Sequence, residues 1–547
     1  MANDGIISGV TVVHDVIIIG AGPAGLAVAA RLCEHTPSAI FTDEEHRRYH
    51  WIRKNGTKTT ILNQRKNTIK PAESSCGNIS TLVLDATAAT WMAKWNMLLE
   101  KFEIEYLRSP MFFHPDPGDR DGLLAFTYEQ DREQDLQEIS NCVGKEVSKH
   151  HKKRKASKGN IHRKEGFWRG PASRLEIDER DRKDYYSPST ALFSAYCDCV
   201  VQRYKLNKNL VRQEGVQDID FGIVKQISDV DDVFTVTTNK GVHHARAVVL
   251  AVGAGNAPSI PDAGLTPPMV GQCHAMQIKE FPDPSVHVKM RAKKETNVLV
   301  VGGGLTSAQV ADLAVSKGVT RVWHVMRSEL KVKPFDVDLA WVGKFRNIEQ
   351  SAFWSSDCFE ARLQQIQAAR GGGSMTPTYH TILKKHMGAG RLILHTKTNL
   401  KERTYDSATQ TWQVSTFPNR NLPPIDYIYF ATGIATDYST LPYLQTLRAK
   451  HPISDAGGLP SLNEDLMWKD GVPLFVTGRL AGLQLEPSAG NLAGARVGAE
   501  RVAWSVQDFV GQNTGAKRKD SGQDDPLYTW SAGIGNRYEG LQEDSTA

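Results

Sequence analysis

The chain has 547 residues, a formal net charge of +5 and 40% hydrophobic residues, enough for two or three domains with a sizeable core and too mildly basic to argue for a nucleic-acid partner. No run reaches the roughly 18 apolar residues of a membrane span, and the opening residues do not read as a secretory signal. Seven scattered cysteines suit reduced thiols, so an intracellular, cytoplasmic setting is expected.

Residues 12 to 43 read as strand, turn, helix and strand. An apolar run ending in Ile17-Ile18-Ile19 meets Gly20-Ala21-Gly22-Pro23-Ala24-Gly25, and an apolar helix follows. In such a turn Gly20 permits the bend, Gly22 lets backbone N–H groups reach a pyrophosphate, and Gly25 lets helix and strand pack closely. The positive end of the helix dipole then faces the phosphates. The second strand, Ala39 to Thr42, ends at Asp43 and Glu44, placed about 20 residues on to hold a ribose diol.

From about 44 to 120 the chain is mixed, with aromatic clusters at Tyr49-His50-Trp51 and between Trp91 and Trp95. Met111 to Gly122, rich in Pro, Asp and Gly, reads as loop. Residues 145 to 169 centre on Lys152-Lys153-Arg154-Lys155 and read as a solvated insertion, with a nuclear signal or polyanion contact as the competing reading. Residues 185 to 206 read as helix. Cys197 and Cys199 there point in different directions, which argues against a disulfide or metal site, and no metal is expected. Val233 to Thr238 reads as a strand, and Ala247 to Leu250 as a buried one that runs on through Val252 to Gly253.

A second apolar strand, Val298 to Val301, meets Gly302-Gly303-Gly304-Leu305-Thr306-Ser307, with Ser307 where a third glycine would stand. The strand after it, Arg321 to Met326, ends in Arg327-Ser328 with Lys331 and Lys333 beyond. A basic residue in place of an acid there suits the 2′-phosphate of NADPH; a plain surface charge is the alternative. Tyr427 to Phe430 leads into Thr432-Gly433, and Leu474 to Thr477 into Gly478. Small residues at such strand ends let the chain pass close to a cofactor. Pro487 to Leu492 opens a helix to Val506, with Asn491 and Leu492 at an N-terminus suited to a flavin ring or ribityl chain; core packing is the competing reading. Two nucleotide turns in one chain suit hydride transfer between two dinucleotides.

In this order the motifs resemble those of the two-dinucleotide flavoproteins, specifically the class B flavin-dependent monooxygenases. Within them the chain is most similar to the lysine and ornithine N-hydroxylating enzymes and to the flavoproteins similar to oxidative-stress-induced growth inhibitors. Tyr49-His50-Trp51, Lys333-Pro334-Phe335-Asp336 and Gly371-Gly372-Gly373-Ser374 carry the finer likeness. Leu84-Asp85 stands where those enzymes have Lys-Asp, and Gly271 to His274 echoes the Phe-x-Gly-x3-His fingerprint one residue short.

The resemblance implies an α/β fold of two Rossmann-like dinucleotide-binding domains, the NADPH domain inserted into the FAD domain. The expected bounds are 12–290 and 401–510 for the FAD domain, 291–400 for the NADPH domain, and 511–547 for a mobile tail. It implies that NADPH reduces FAD and that a flavin C4a-hydroperoxide then passes one oxygen atom of O2 to a small molecule, with N-hydroxylation of an amine as one outcome. His50, Asp85 and His274 are candidates to tune such a site, and no catalytic residue is assigned. Two alternatives stay open: a weakly active redox-responsive regulator and a pyridine nucleotide-disulfide-type oxidoreductase.

Overall fold

The computed structural model describes residues 12–34, 61–62, 68–69, 79–140, 142, 179–206, 210–253, 258–261, 270–343 and 346–513. Asp43, Glu44, His50, Trp51, the expected strand at 39–42 and the basic insertion lie outside the described residues, as does the tail beyond 513.

β1 (Val13–Ile19) carries the Val-Ile run and is buried at its last four residues. A strand covered on both faces reads as a continuous apolar run. α1 (Pro23–Cys33) follows, with proline in its first turn and Gly25 to Leu32 all buried. β2 (Thr81–Asp85) lies parallel to β1. Pro188 ends a short extended stretch, and the Ser189 hydroxyl then accepts the Leu192 N–H at 3.0 Å, so α2 spans Thr190–Arg203 only. That start is later than the sequence suggested, because the proline and the cap fix the boundary. β3 (Val211–Gln213), β4 (Val216–Ile223), β5 (Asp232–Thr238) and β6 (Val242–Leu250) complete the first half.

The second unit has β7 (Gln272–His274), β8 (Asn297–Val301), α3 (Leu305–Ser316), β9 (Arg321–Val325), α4 (Phe359–Arg370), α5 (Pro377–Gly388), β10 (Leu392–His395) and β11 (Tyr427–Phe430). Then β12 (Met467–Lys469), β13 (Val472–Val476) and α6 (Leu492–Asn513) return to the first.

The first sheet runs β12-β13-β6-β1-β2-β3, with β5 paired to β6 and β4 to β5. Its core, β13-β6-β1-β2-β3, is parallel. The second sheet, β7-β11-β8-β9-β10, is parallel throughout. Two doubly wound α/β units result, the second inserted in the first, as the family likeness implies. By strand membership the inserted unit runs from β7 to β11, beyond the expected limits of 291 and 400 on both sides. β7 has only three residues, too short for an apolar pattern to reveal its sheet. α6 also runs past the expected end at Val506.

The chain between β9 and α5 belongs to both units. Phe335, Val337, Trp341, Phe353 and Ala369 are buried in the first unit's core, alongside β1, α1 and β6. α1 and α6 are joined by an ion pair, with Arg31 Nε 2.5 Å from Glu500 Oε2 and Nη2 2.8 Å from Oε1.

Candidate functional site

The two glycine turns are built alike. At the first, Gly20 has φ +109°, and a Cβ there would lie 2.5 Å from the Ala251 carbonyl oxygen just past β6. At the second, Gly302 has φ +150°, and its Cβ would lie 2.3 Å from the Ala431 oxygen just past β11. Each leading glycine lets a neighbouring strand end close on the turn. A Cβ on Gly25 would sit 1.9 Å from the Gly20 oxygen. In the second turn Ser307 takes that place and satisfies its hydroxyl by donating to the Gly304 oxygen at 2.7 Å.

Other glycines face open space. A Cβ on Gly22, Gly253, Gly433 or Gly478 would meet no protein atom within 4 Å. At Gly22 φ is −81° and ψ −170°, a backbone any residue adopts, so neither packing nor backbone strain calls for glycine there. Bare space above a helix N-terminus fits a dinucleotide pyrophosphate. Gly253, Gly433 and Gly478, at φ +74°, +89° and +75°, each follow a parallel strand. In open α/β sheets ligands lie beyond the carboxyl ends of the strands. The described residues therefore fit two dinucleotides.

The structure brings together Gly20 to Gly25, Val252, Gly253 and Gly478, since β1, β6 and β13 are adjacent. Asn491 caps α6, its Oδ1 accepting the Ala493 and Gly494 N–H groups at 3.0 and 3.2 Å, ahead of Leu492 at the helix start. Gly302 to Ser307 lie beside Arg327-Ser328: a Cβ on Gly303 would be 3.9 Å from the Ser328 hydroxyl. Gly304, Leu305 and Thr306 open α3. Thr432 and Gly433 adjoin this turn and pair with the 258–261 crossing, where the Ser259 N–H donates to the Gly433 oxygen at 3.0 Å. Arg327 is exposed. Lys331 and Lys333 do not join it: their ammonium groups donate to the carbonyls of Gly371, Ala369 and Arg370 at the end of α4.

Asp85 has a structural task that its sequence position did not disclose. One carboxylate oxygen accepts the Ala21 N–H at 2.9 Å and the other the Thr87 N–H at 2.7 Å, bracing the first turn from β2. His274 ends β7; its Nδ1 accepts the Met276 N–H at 3.2 Å, and burial lowers its pKa, opposed by the Gly433 backbone. Sequence reasoning missed His324 on β9. Its Nε2 lies 2.8 Å from the Gly302 oxygen, and burial pushes its pKa down to about 4. A neutral imidazole there donates to the turn. It also missed Arg108, described below.

No redox pair of thiols occurs among the described residues. Among the described residues six cysteines are free. Burial raises the pKa of Cys142 to about 12 and of Cys273 to about 11, unlike the lowered values of reactive thiolates. No cluster of metal-ligating side chains occurs among the described residues, and no described helix is long and apolar enough to cross a membrane.

Residues 183–378 match the family model for L-lysine 6-monooxygenase/L-ornithine 5-monooxygenase. No curated protein matches the chain by sequence. Among solved structures it resembles an ornithine N-hydroxylase from Kutzneria sp. 744 at 15% identity and a TM-score of 0.57, covering 91% of this chain and 99% of that one. It also resembles a cadaverine monooxygenase from Erwinia amylovora at 12% and 0.57, covering 91% and 95%. The L-lysine 6-monooxygenase from Pseudomonas syringae is similar at 18% and 0.55, covering 91% and 100%. At these identities the structural likeness speaks for the fold. The matched segment and the shared fold make this chain similar to the flavin-dependent, NADPH-using monooxygenases that include the lysine and ornithine N-hydroxylases.

Proposed function

We propose that the protein binds FAD at the first turn and NADPH at the second, and N-hydroxylates a small amine with one atom of O2 through a flavin C4a-hydroperoxide. The family match over residues 183–378 carries this reading. The solved relatives' names support it: one is an ornithine N-hydroxylase recorded with reduced FAD, NADP+ and L-ornithine, another a cadaverine monooxygenase bound to FAD. The flavin supplies the oxygen-transfer chemistry, so the protein's part is binding, orientation and exclusion of water.

On this reading Gly20, Ala21, Gly22, Pro23, Ala24 and Gly25 hold the FAD pyrophosphate, with Asp85 keeping the Ala21 N–H in place. Asp43 or Glu44 takes the ribose diol, and Trp51 lies near the flavin. Val252, Gly253 and Gly478 leave room for the FAD, and Asn491 and Leu492 turn the start of α6 toward its flavin end. Gly302 to Ser307 hold the NADPH pyrophosphate, with Thr432 and Gly433 alongside. Arg327 and Ser328 contact the 2′-phosphate. The FAD domain then comprises the first sheet, closed by β12, β13 and α6, and the NADPH domain the strands β7 to β11.

Stopped-flow absorbance tests the reading: anaerobic reduction with NADPH, then mixing with O2. A lasting hydroperoxyflavin band, its decay hastened by an amine, is the expected result. Reoxidation without it, accompanied by peroxide release whatever amine is present, would overturn the N-hydroxylase.

A further inference from the structure

Arg108 belongs to the first unit. Its strip of chain runs beside residues 184–190, with the Leu107 N–H on the Pro188 oxygen and the Met111 N–H on the Asp184 oxygen, each at 3.1 Å. Its guanidinium leaves that strip for the segment between β9 and α5. Nε donates to the Pro334 oxygen at 3.2 Å and Nη1 to the Ser374 oxygen at 3.3 Å. Nη2 faces the oxygens of Lys333 at 3.0 Å and Phe335 at 2.5 Å and the Ser374 hydroxyl at 2.9 Å. All five acceptors are neutral. Burial lowers the Arg108 pKa to about 10, with Asp336 opposing the shift. Only the planar fork of an arginine reaches so many acceptors at once.

Ser374 adjoins Gly373, and Gly373 rests on the second glycine turn. A Cβ on Gly373 would lie 2.9 Å from the Gly304 nitrogen and 3.0 Å from the Gly303 carbonyl carbon and the Gly304 Cα. Gly371 and Gly372 have φ +61° and +82°, so the chain reverses tightly over the turn. Lys331 and Lys333 hold the near end of this loop through the carbonyls of residues 369–371, and Arg108 holds the far end. The loop is thus clamped at both ends against the turn that opens α3.

We infer that Arg108 is a positioning residue for the nicotinamide dinucleotide: from the first unit it seats the 371–374 loop on Gly303-Gly304 and so sets the cleft in which the pyrophosphate lies. The inference rests on NADPH occupying the second turn. Since Arg108 acts only through the loop, disturbing it and disturbing Gly373 have the same consequence.

The test is calorimetric titration of the FAD-loaded enzyme with NADP+, for native protein, Arg108→Met, Arg108→Lys and Gly373→Ala. Arg108→Met and Gly373→Ala should each weaken NADP+ binding about tenfold or more. Arg108→Lys should fall between Arg108→Met and native, and the double variant Arg108→Met/Gly373→Ala, titrated alongside, should be no weaker than the worse single. FAD content and the reoxidation rate of dithionite-reduced enzyme should stay native, which a general loss of structure would not allow. Should Arg108→Met fold poorly, Gly373→Ala leaves the arginine in place and tests the same seat. Native NADP+ affinity in a folded Arg108→Met, or in Gly373→Ala, would overturn the inference, as would an equal loss of FAD. If native enzyme takes up no NADP+, the nucleotide reading of the second turn falls first and this inference with it.

Discussion

Gly22→Ala separates binding from folding at the first turn. A Cβ there meets no protein atom within 4 Å, and φ is −81°. The flavin-free protein should therefore unfold at an unchanged or higher temperature, since Gly→Ala at a compatible backbone stabilises by roughly 0.4–1 kcal/mol. FAD is another matter, because the new methyl occupies the space assigned to its pyrophosphate. A ligand at a hundred times its dissociation constant stabilises the folded state by about 2.7 kcal/mol, and the variant should lose most of that gain. Gly20→Ala behaves oppositely. At φ +109° and 2.5 Å from the Ala251 oxygen, it should cost upward of about 2 kcal/mol even without flavin. The assay is the unfolding midpoint of each protein with and without excess FAD, together with the flavin-to-protein ratio after purification. A Gly22→Ala protein that keeps its full flavin complement and full FAD stabilisation would refute the reasoning.

Arg327→Ala should reduce the preference for NADPH over NADH by about tenfold or more, measured as the ratio of their kcat/KM values; an unchanged ratio would return Arg327 to a plain surface charge. Arg31→Met, which strands Glu500 in a part-buried site, should lower unfolding stability by about 3 kcal/mol, with Arg31→Met/Glu500→Leu recovering much of it; urea titration of the set decides. His114 and His324 are buried, and burial holds both pKa values down to about 4 from 6.5. The unfolded chain takes up these protons as pH falls through 6.5 while the folded chain refuses them until about 4. The stability they allow is therefore complete above pH 6.5 and lost progressively between there and about 4, by roughly 3 kcal/mol for each histidine. Unfolding measured across that window should show the slope, and His324→Gln should remove about one proton's share of it.

The glycine turns were legible because backbone sterics reserve φ +109° and close strand approach for one residue type, whatever surrounds it. Gly253, Gly433 and Gly478 were legible for a related reason, each standing at the end of an apolar strand. What stayed hidden is long-range. Nothing local in Gln272-Cys273-His274 says that it joins the second sheet beside β11. Lys331 and Lys333 follow Arg327 closely in sequence, but the end of α4 comes within their reach and takes their ammonium groups, which no local pattern discloses. Arg108 carries no motif; its acceptors lie more than 200 residues away and are mostly backbone oxygens that any sequence would supply.

The most direct test is to supply the FAD-loaded enzyme with NADPH and heavy-isotope dioxygen over a panel of lysine, ornithine and simple diamines, and to weigh the products. The expected result is an amine gaining one heavy oxygen atom on nitrogen as one NADPH is consumed. NADPH oxidation that delivers all the heavy oxygen as peroxide and water, with every amine recovered unchanged, would contradict it.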